Sequence, residues 1–68
     1  MENITPQHML ADVMSRINRI ASHLAQQGID AMLIADNVGL YYVSGRVFAG
    51  YALVMADATV RYFVRRPN

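Results

Sequence analysis

The chain has no cysteine, no lysine and no tryptophan in its 68 residues, and only 16% of them are charged. Without cysteine there can be no disulfide and no thiolate metal site. The same absence fits a reducing compartment, so a cytoplasmic location is expected. Without lysine, all six basic residues are arginines, set against five acids for a net charge of +1. That balance builds no broad basic field along a phosphate backbone, so nucleic acid is not an expected partner. No apolar run approaches the ~20 residues of a membrane span, so no membrane partner is expected either. The opening MENITPQH has neither the positive start nor the apolar core of a signal peptide. What the chain does have is apolar surface, at 54% of residues, which argues against disorder. A chain this short hides only about 60% of the surface its unfolded form exposes. A missing partner surface is therefore expected.

Thr5-Pro6 reads as a helix start, with a capping hydroxyl followed by a residue pre-set for the first helical position. Leu10, Val13, Ile17, Ile20 and Leu24 then recur at helical spacing, widened by Met9, Met14 and Ala21. Asp12, Ser15, Arg16, Arg19, Ser22, His23 and Gln26 fall on the opposite, polar side. Gly28 supplies the stop, so the spacing predicts a helix from Pro6 to Gln27. Ala31-Met32-Leu33-Ile34-Ala35 is apolar on both faces and fits a central strand covered on both sides. A run this short also fits buried helix, but Gly28 just before it favours a new element.

Asp36 or Asn37 can cap a second, short helix over Val38-Val43, with Leu40, Tyr41 and Val43 facing inward. Ser44-Gly45 ends it, and Arg46-Val47-Phe48-Ala49 forms a loop between Gly45 and Gly50. Tyr51 to Ala56 and Val60 to Arg66 read as two further strands. In the last, Val60, Tyr62 and Val64 share one face, and Arg61, Phe63 and Arg65 share the other. The Asp57-Ala58-Thr59 turn lacks the glycine its left-handed position prefers, which points to strain or a longer loop. Pro67 ends the strand. The expected fold is α/β in the order α-β-α-β-β, a mixed sheet with the long amphipathic helix packed on one face. One helix covers one face only and an edge stays open, so the chain reads as a single incomplete domain or as one that completes its sheet with another copy.

Few residues invite chemistry. His8 and Asp12 have helical metal-ligand spacing, but His23 lies roughly 22 Å further along the axis. A solvated helix face is the simpler account, and no metal site is expected. Gly39, Gly45 and Gly50 match no phosphate-loop spacing. Ser44 lacks the glycine frame of a nucleophile elbow, so no catalytic residue is expected. Arg61, Arg65 and Arg66 near aromatics are best explained as an edge strand guarded by charge. Tyr41, Tyr42, Arg46, Phe48 and Tyr51 stand apart. Arginine among aromatics suits an interface core or a grip on a carboxylate, and equally suits ordinary aromatic packing with Arg46 in solvent.

From Val13 to Pro67 the chain resembles the N-terminal domain of the creatinase/prolidase family, which includes Xaa-Pro aminopeptidases and Xaa-Pro dipeptidases. The resemblance rests on RINRIASHLAQQGIDAMLIAD followed by NVGLYYVSGRVFAGYALVMAD. Its elements are Arg16 and Arg19, Gln27 to Ala31, the strand, the asparagine before a tyrosine-bearing short helix, Tyr42-x-Ser44-Gly45, and the closing hairpin with its arginines. The resemblance implies a mixed α/β domain about twice this length, followed by a pita-bread catalytic domain. That domain would hold two divalent metals, manganese or cobalt, on aspartate, histidine and glutamate ligands whose positions lie outside these residues. Asp57-Ala58-Thr59 and Arg46 depart from residues common in the family. The implied role is a non-catalytic segment serving dimer assembly and substrate access, with the parent's catalytic domain and a peptide substrate as partners. Tyr41, Arg46, Phe48 and Tyr51 are the candidate positions, and Arg46 and Phe48 would lie nearest a substrate. The alternative is a stand-alone interaction module that pairs through its open sheet edge.

Overall fold

The computed structural model describes residues 6–65, with side chains from residue 10 onward. Helix α1 spans Pro6–Gln27, strand β1 Ala31–Ile34, helix α2 Asn37–Ser44, strand β2 Gly50–Met55 and strand β3 Val60–Val64. This is the α-β-α-β-β order that the sequence predicts. The Thr5 cap, Arg66 and Pro67 lie outside the described residues, as do the side chains of His8 and Met9.

Helix α1 ends where the periodicity says it should, and the bonds at its end show why. The Gly28 amide donates to the Ala25 carbonyl at 3.2 Å, and the Ile29 amide to that of Leu24 at 2.9 Å. Gly28 has φ 71°, so the pair forms a Schellman closure that satisfies two orphan carbonyls. Ile17, Ala21 and Leu24 of the stripe are buried. Leu10 and Met14 are not: they are 60% and 54% exposed. Twenty-two residues make a rod of about 33 Å. Its buried positions begin at Ile17, so the closely packed part of α1 is its C-terminal half.

Helix α2 is held at both ends. The Asp36 carboxylate accepts from the Gly39 amide at 2.8 Å, and the Gly45 amide donates back to the Tyr41 carbonyl at 2.8 Å. Leu40 and Val43 are fully buried, as expected for its inward side. Tyr41, expected with them, is 54% exposed. One step of about 100° carries it off the buried face, and its neighbour Tyr42 packs against the core instead.

The sheet differs from expectation in two respects. Its order is β1-β2-β3, so β1 is an edge strand and β2 the centre. Both ladders are antiparallel, so the described sheet is not mixed. Apolarity on both faces of β1 led to the central placement. Only Ile34 of that strand is buried, however, and Leu33 is 61% exposed. Ile34, Ala52 and Val54 face the helices and close the core with Ile17, Leu24, Leu40 and Val43. The opposite sheet face carries no helix among the described residues.

The hairpin between β2 and β3 takes the shorter of its two expected forms, and the strained one. Ala58 sits at φ 73°, a left-handed conformation that a side chain resists. The Asp57 carboxylate compensates by accepting the Thr59 amide at 2.9 Å. Hydrogen bonds from Thr59, first its side chain and then its backbone, lower the Asp57 pKa below the ordinary carboxylate value.

Candidate functional site

The residues around the α2–β2 loop form a groove of about 530 Å³. It is lined by Leu10, Val13, Ser44, Arg46, Phe48, Tyr62 and Val64. Leu10 and Val13 of α1 supply one wall, and β3 and the loop supply the other. Gly45 turns the chain out of α2, and the Ser44 side chain then ties the loop down. Its hydroxyl lies 2.5 Å from the Leu40 carbonyl and 2.7 Å from that of Arg46, and accepts the Arg46 amide at 3.2 Å. Those bonds engage Ser44 in local structure, in keeping with its reading as a non-nucleophile. The Arg46 backbone is thereby anchored while its side chain is exposed.

Phe48 is half-buried and meets Tyr62 edge-to-face, with centroids 6.3 Å apart and planes at 75°. The Tyr62 phenol donates to the Val43 carbonyl, which joins β3 to the end of α2. Burial raises the Tyr62 pKa, so the phenol keeps its proton and remains a donor. Tyr62 was not among the candidate residues. The alternation of β3, which sets Val60, Tyr62 and Val64 on one face, was the signal that could have found it.

Of the four candidates, Arg46 and Phe48 come together in this groove. Tyr41 lies exposed on α2 and does not line it. Tyr51 lies on the far side of the sheet. It stacks on Phe63 with centroids 4.8 Å apart and planes at 21°, facing away from the helices. The correction follows from the period of two: Ala52 is buried beneath the helices, so its neighbour Tyr51 must point the other way.

Arg16 and Arg19, placed on the polar face by periodicity, turn out to hold α2. Arg16 donates to the Tyr42 carbonyl at 3.3 Å, with its guanidinium 5.4 Å from the Tyr42 ring centroid. Arg19 donates to the Tyr42 hydroxyl at 3.4 Å. A cation over an aromatic face adds roughly 0.5–1 kcal/mol at an exposed site. Both arginines border the apolar stripe, but nothing in their spacing names Tyr42 as the partner.

The groove is apolar with one cation at its rim, an arrangement suited to an apolar group that carries a carboxylate. No group of three His, Cys, Asp or Glu side chains that could hold a metal occurs among the described residues. His23 lies with Ser15, Asn18, Arg19, Ser22 and Gln26 on the exposed outer side of α1. No helix among the described residues is long and apolar enough to cross a membrane.

Compared with known families, residues 16–68 match the model of the Creatinase/Prolidase N-terminal domain. No curated protein and no solved structure matches the chain.

Proposed function

The chain belongs to the creatinase/prolidase family through its N-terminal domain, and on that premise we propose that it is the non-catalytic N-terminal segment of a prolidase-like Xaa-Pro metallopeptidase. Its role is dimer assembly and the shaping of substrate access. The parent protein hydrolyses Xaa-Pro peptide bonds in a separate catalytic domain, which holds the two divalent metals, manganese or cobalt. The location is cytoplasmic, in keeping with a chain free of cysteine.

The observation that carries this reading is the groove at Arg46 and Phe48 within a chain whose family match runs over residues 16–68. An anchored loop with an exposed guanidinium beside an apolar wall suits the guiding of a short peptide by its charged end and its side chain. Two measurements test the reading. The 68-residue chain is assayed with an Xaa-Pro dipeptide and added manganese or cobalt, and no turnover is expected. Arg46→Ala in the parent protein is expected to raise KM roughly tenfold with kcat little changed, as loss of one charge-assisted contact would do. Metal-dependent turnover by the chain alone would overturn the non-catalytic role, and an unchanged KM would overturn the role of the loop.

A second reading, a stand-alone interaction module, is favoured by one specific observation. Among the described residues β1 has no strand beyond it, so the sheet keeps the open edge through which such a module would pair.

A further inference from the structure

The two helices end on glycines with nearly the same backbone turn, φ 71° at Gly28 and 81° at Gly45, yet they close differently. At α1 the glycine amide bonds the carbonyl three residues back, that of Ala25, and the next amide, Ile29, bonds Leu24. The same closure at α2 would pair the Gly45 amide with the Tyr42 carbonyl and the Arg46 amide with that of Tyr41. Instead the Gly45 amide bonds Tyr41 at 2.8 Å, and the Arg46 amide turns to the Ser44 hydroxyl at 3.2 Å. This more open closure satisfies one carbonyl of the last turn where the other form satisfies two. The Tyr42 carbonyl then needs a donor from elsewhere, and Arg16 of α1 supplies it at 3.3 Å.

Arg16 is well suited to that place. Helix α2 has no basic residue in its own last turn, so the cation that a carboxyl end favours comes from α1. The guanidinium also lies 5.4 Å from the Tyr42 ring centroid, so one residue is held twice. The Val43 carbonyl accepts the Tyr62 phenol, but it has no backbone donor in either closure and does not distinguish them. The Tyr42 carbonyl does distinguish them. The α1 type of closure would satisfy it without Arg16, whereas the observed closure depends on Arg16.

We infer that Arg16 is a positioning residue for the groove: by holding the Tyr42 carbonyl it selects the open closure of α2, and that closure sends Arg46 and Phe48 to the groove. In the open form Ser44 anchors the Arg46 backbone, and the chain runs on to Phe48, whose ring meets Tyr62 edge-to-face. In the other form the Arg46 amide would fold back onto Tyr41 and take the loop with it. Arg16 does not line the groove, so it acts through the loop and not by touching a ligand. The inference rests on the proposed function for what the groove admits, and on the hydrogen bonds alone for the selection. A bond from a charged donor to an otherwise unsatisfied carbonyl is stronger than a neutral one, and its loss should shift the balance between closures by roughly tenfold. One other cause competes. The residue after the glycine is Ile29 in α1 but Arg46 in α2, and an apolar residue there favours the α1 type of closure.

NMR couplings across hydrogen bonds, measured on the 68-residue chain, name the carbonyl that each amide bonds. In wild type the Gly45 amide should couple to Tyr41. Arg16→Met keeps an unbranched stem of good helix propensity and removes the donor. Arg16→Gln removes the charge and shortens the side chain. In both, the Gly45 amide is expected to couple to Tyr42 and the Arg46 amide to Tyr41, with the Phe48–Tyr62 contact weakened. Arg16→Lys keeps a cationic donor for the single bond and should retain the wild-type couplings. In the parent protein Arg16→Met should raise KM by roughly threefold to tenfold with kcat unchanged, and should add little once Arg46→Ala is present. Wild-type couplings in Arg16→Met and Arg16→Gln would overturn the selection and assign the closure to Arg46 itself. Altered couplings in Arg16→Lys as well would overturn the role of the donor in favour of side-chain shape. Altered couplings in Arg16→Met with an unchanged KM, where Arg46→Ala does raise it, would overturn the link from closure to groove. An unchanged KM in Arg46→Ala would instead remove the substrate-access role, and the couplings would still decide the selection.

Discussion

Of Gly28, Gly39 and Gly50, it is Gly50 whose change to alanine meets the tightest backbone obstruction. At the start of β2, a Cβ on Gly50 would stand 2.0 Å from the Phe63 carbonyl oxygen, 3.0 Å from its carbon and 3.1 Å from the Val64 Cα. All three atoms are backbone, so no side chain can swing aside. Relief requires β2 and β3 to separate at the Gly50–Val64 pair and at the Arg65 amide to Ala49 carbonyl bond. Losing one or two ladder bonds costs about 1–2 kcal/mol. The φ of 146° adds about 1–3 kcal/mol of strain for any residue with a side chain. The sum is about 2–5 kcal/mol, against a total near 3–10 kcal/mol for a domain of this size. Gly28→Ala is the internal control. Its φ of 71° is also left-handed, but nothing lies within 4 Å of its Cβ, so only about 1 kcal/mol is expected. Urea unfolding followed by circular dichroism compares the two. If Gly50→Ala cost no more than Gly28→Ala, the close approach of β2 to Phe63 would be refuted.

Three further outcomes follow from the same geometry. Ala58→Gly relieves the strain at φ 73° but frees the unfolded chain and removes a methyl packed against the core; the net is a stabilisation of about 0.5 kcal/mol, a Tm rise of about 2–4 °C, and a fall in Tm would show that the methyl dominates. Because the Asp57 pKa is lowered in the folded state, its contribution is complete above the ordinary carboxylate pKa and fades as pH falls through the lowered value. Acid titration of wild type and Asp57→Asn should therefore converge once the pH has fallen below the lowered value and differ near neutrality, and parallel curves would remove Asp57 from the turn's stability. Arg46→Ala, at an exposed side chain whose anchoring bonds are made by the backbone, should change unfolding free energy by under ~0.5 kcal/mol, and a larger loss would make it a structural residue.

Elements were legible in the sequence where the signal is local. The bounds of α1 follow from an apolar stripe and Gly28, and the Schellman bonds at Ala25 and Leu24 are the physical form of that stop. A cap at Asp36 or Asn37 was legible because capping spans only three residues, and Asp36 is the one that caps. The strain in the hairpin was legible because the turn has alanine where glycine is preferred. The place of β1 in the sheet was not. A run apolar on both sides says which faces suit burial, not whether anything covers them, and β1 is the edge. The grip of Arg16 on Tyr42 spans 26 residues, and no local rule reaches that far.

The candidate site divides along the same line. Arg46 and Phe48 are two residues apart on one loop, and the fold keeps them together. Tyr51 is close in sequence too, but strand alternation overrides closeness: the buried Ala52 sends it through the sheet to stack on Phe63. That misplacement has a consequence. Arginine and aromatics that read as one cluster are two, one on each side of β2. The side with Arg46 and Phe48 is concave and touches helix α1, so it suits a small ligand. The side with Tyr51 and Phe63 is a flat sheet face flanked by arginine, so it suits another surface. Under the proposed function, substrate access then belongs to the concave side alone. Phe48→Ala in the parent protein should raise KM, whereas Phe63→Ala, on the opposite face, should leave it unchanged. Equal losses from both changes would mean that the two faces are not independent.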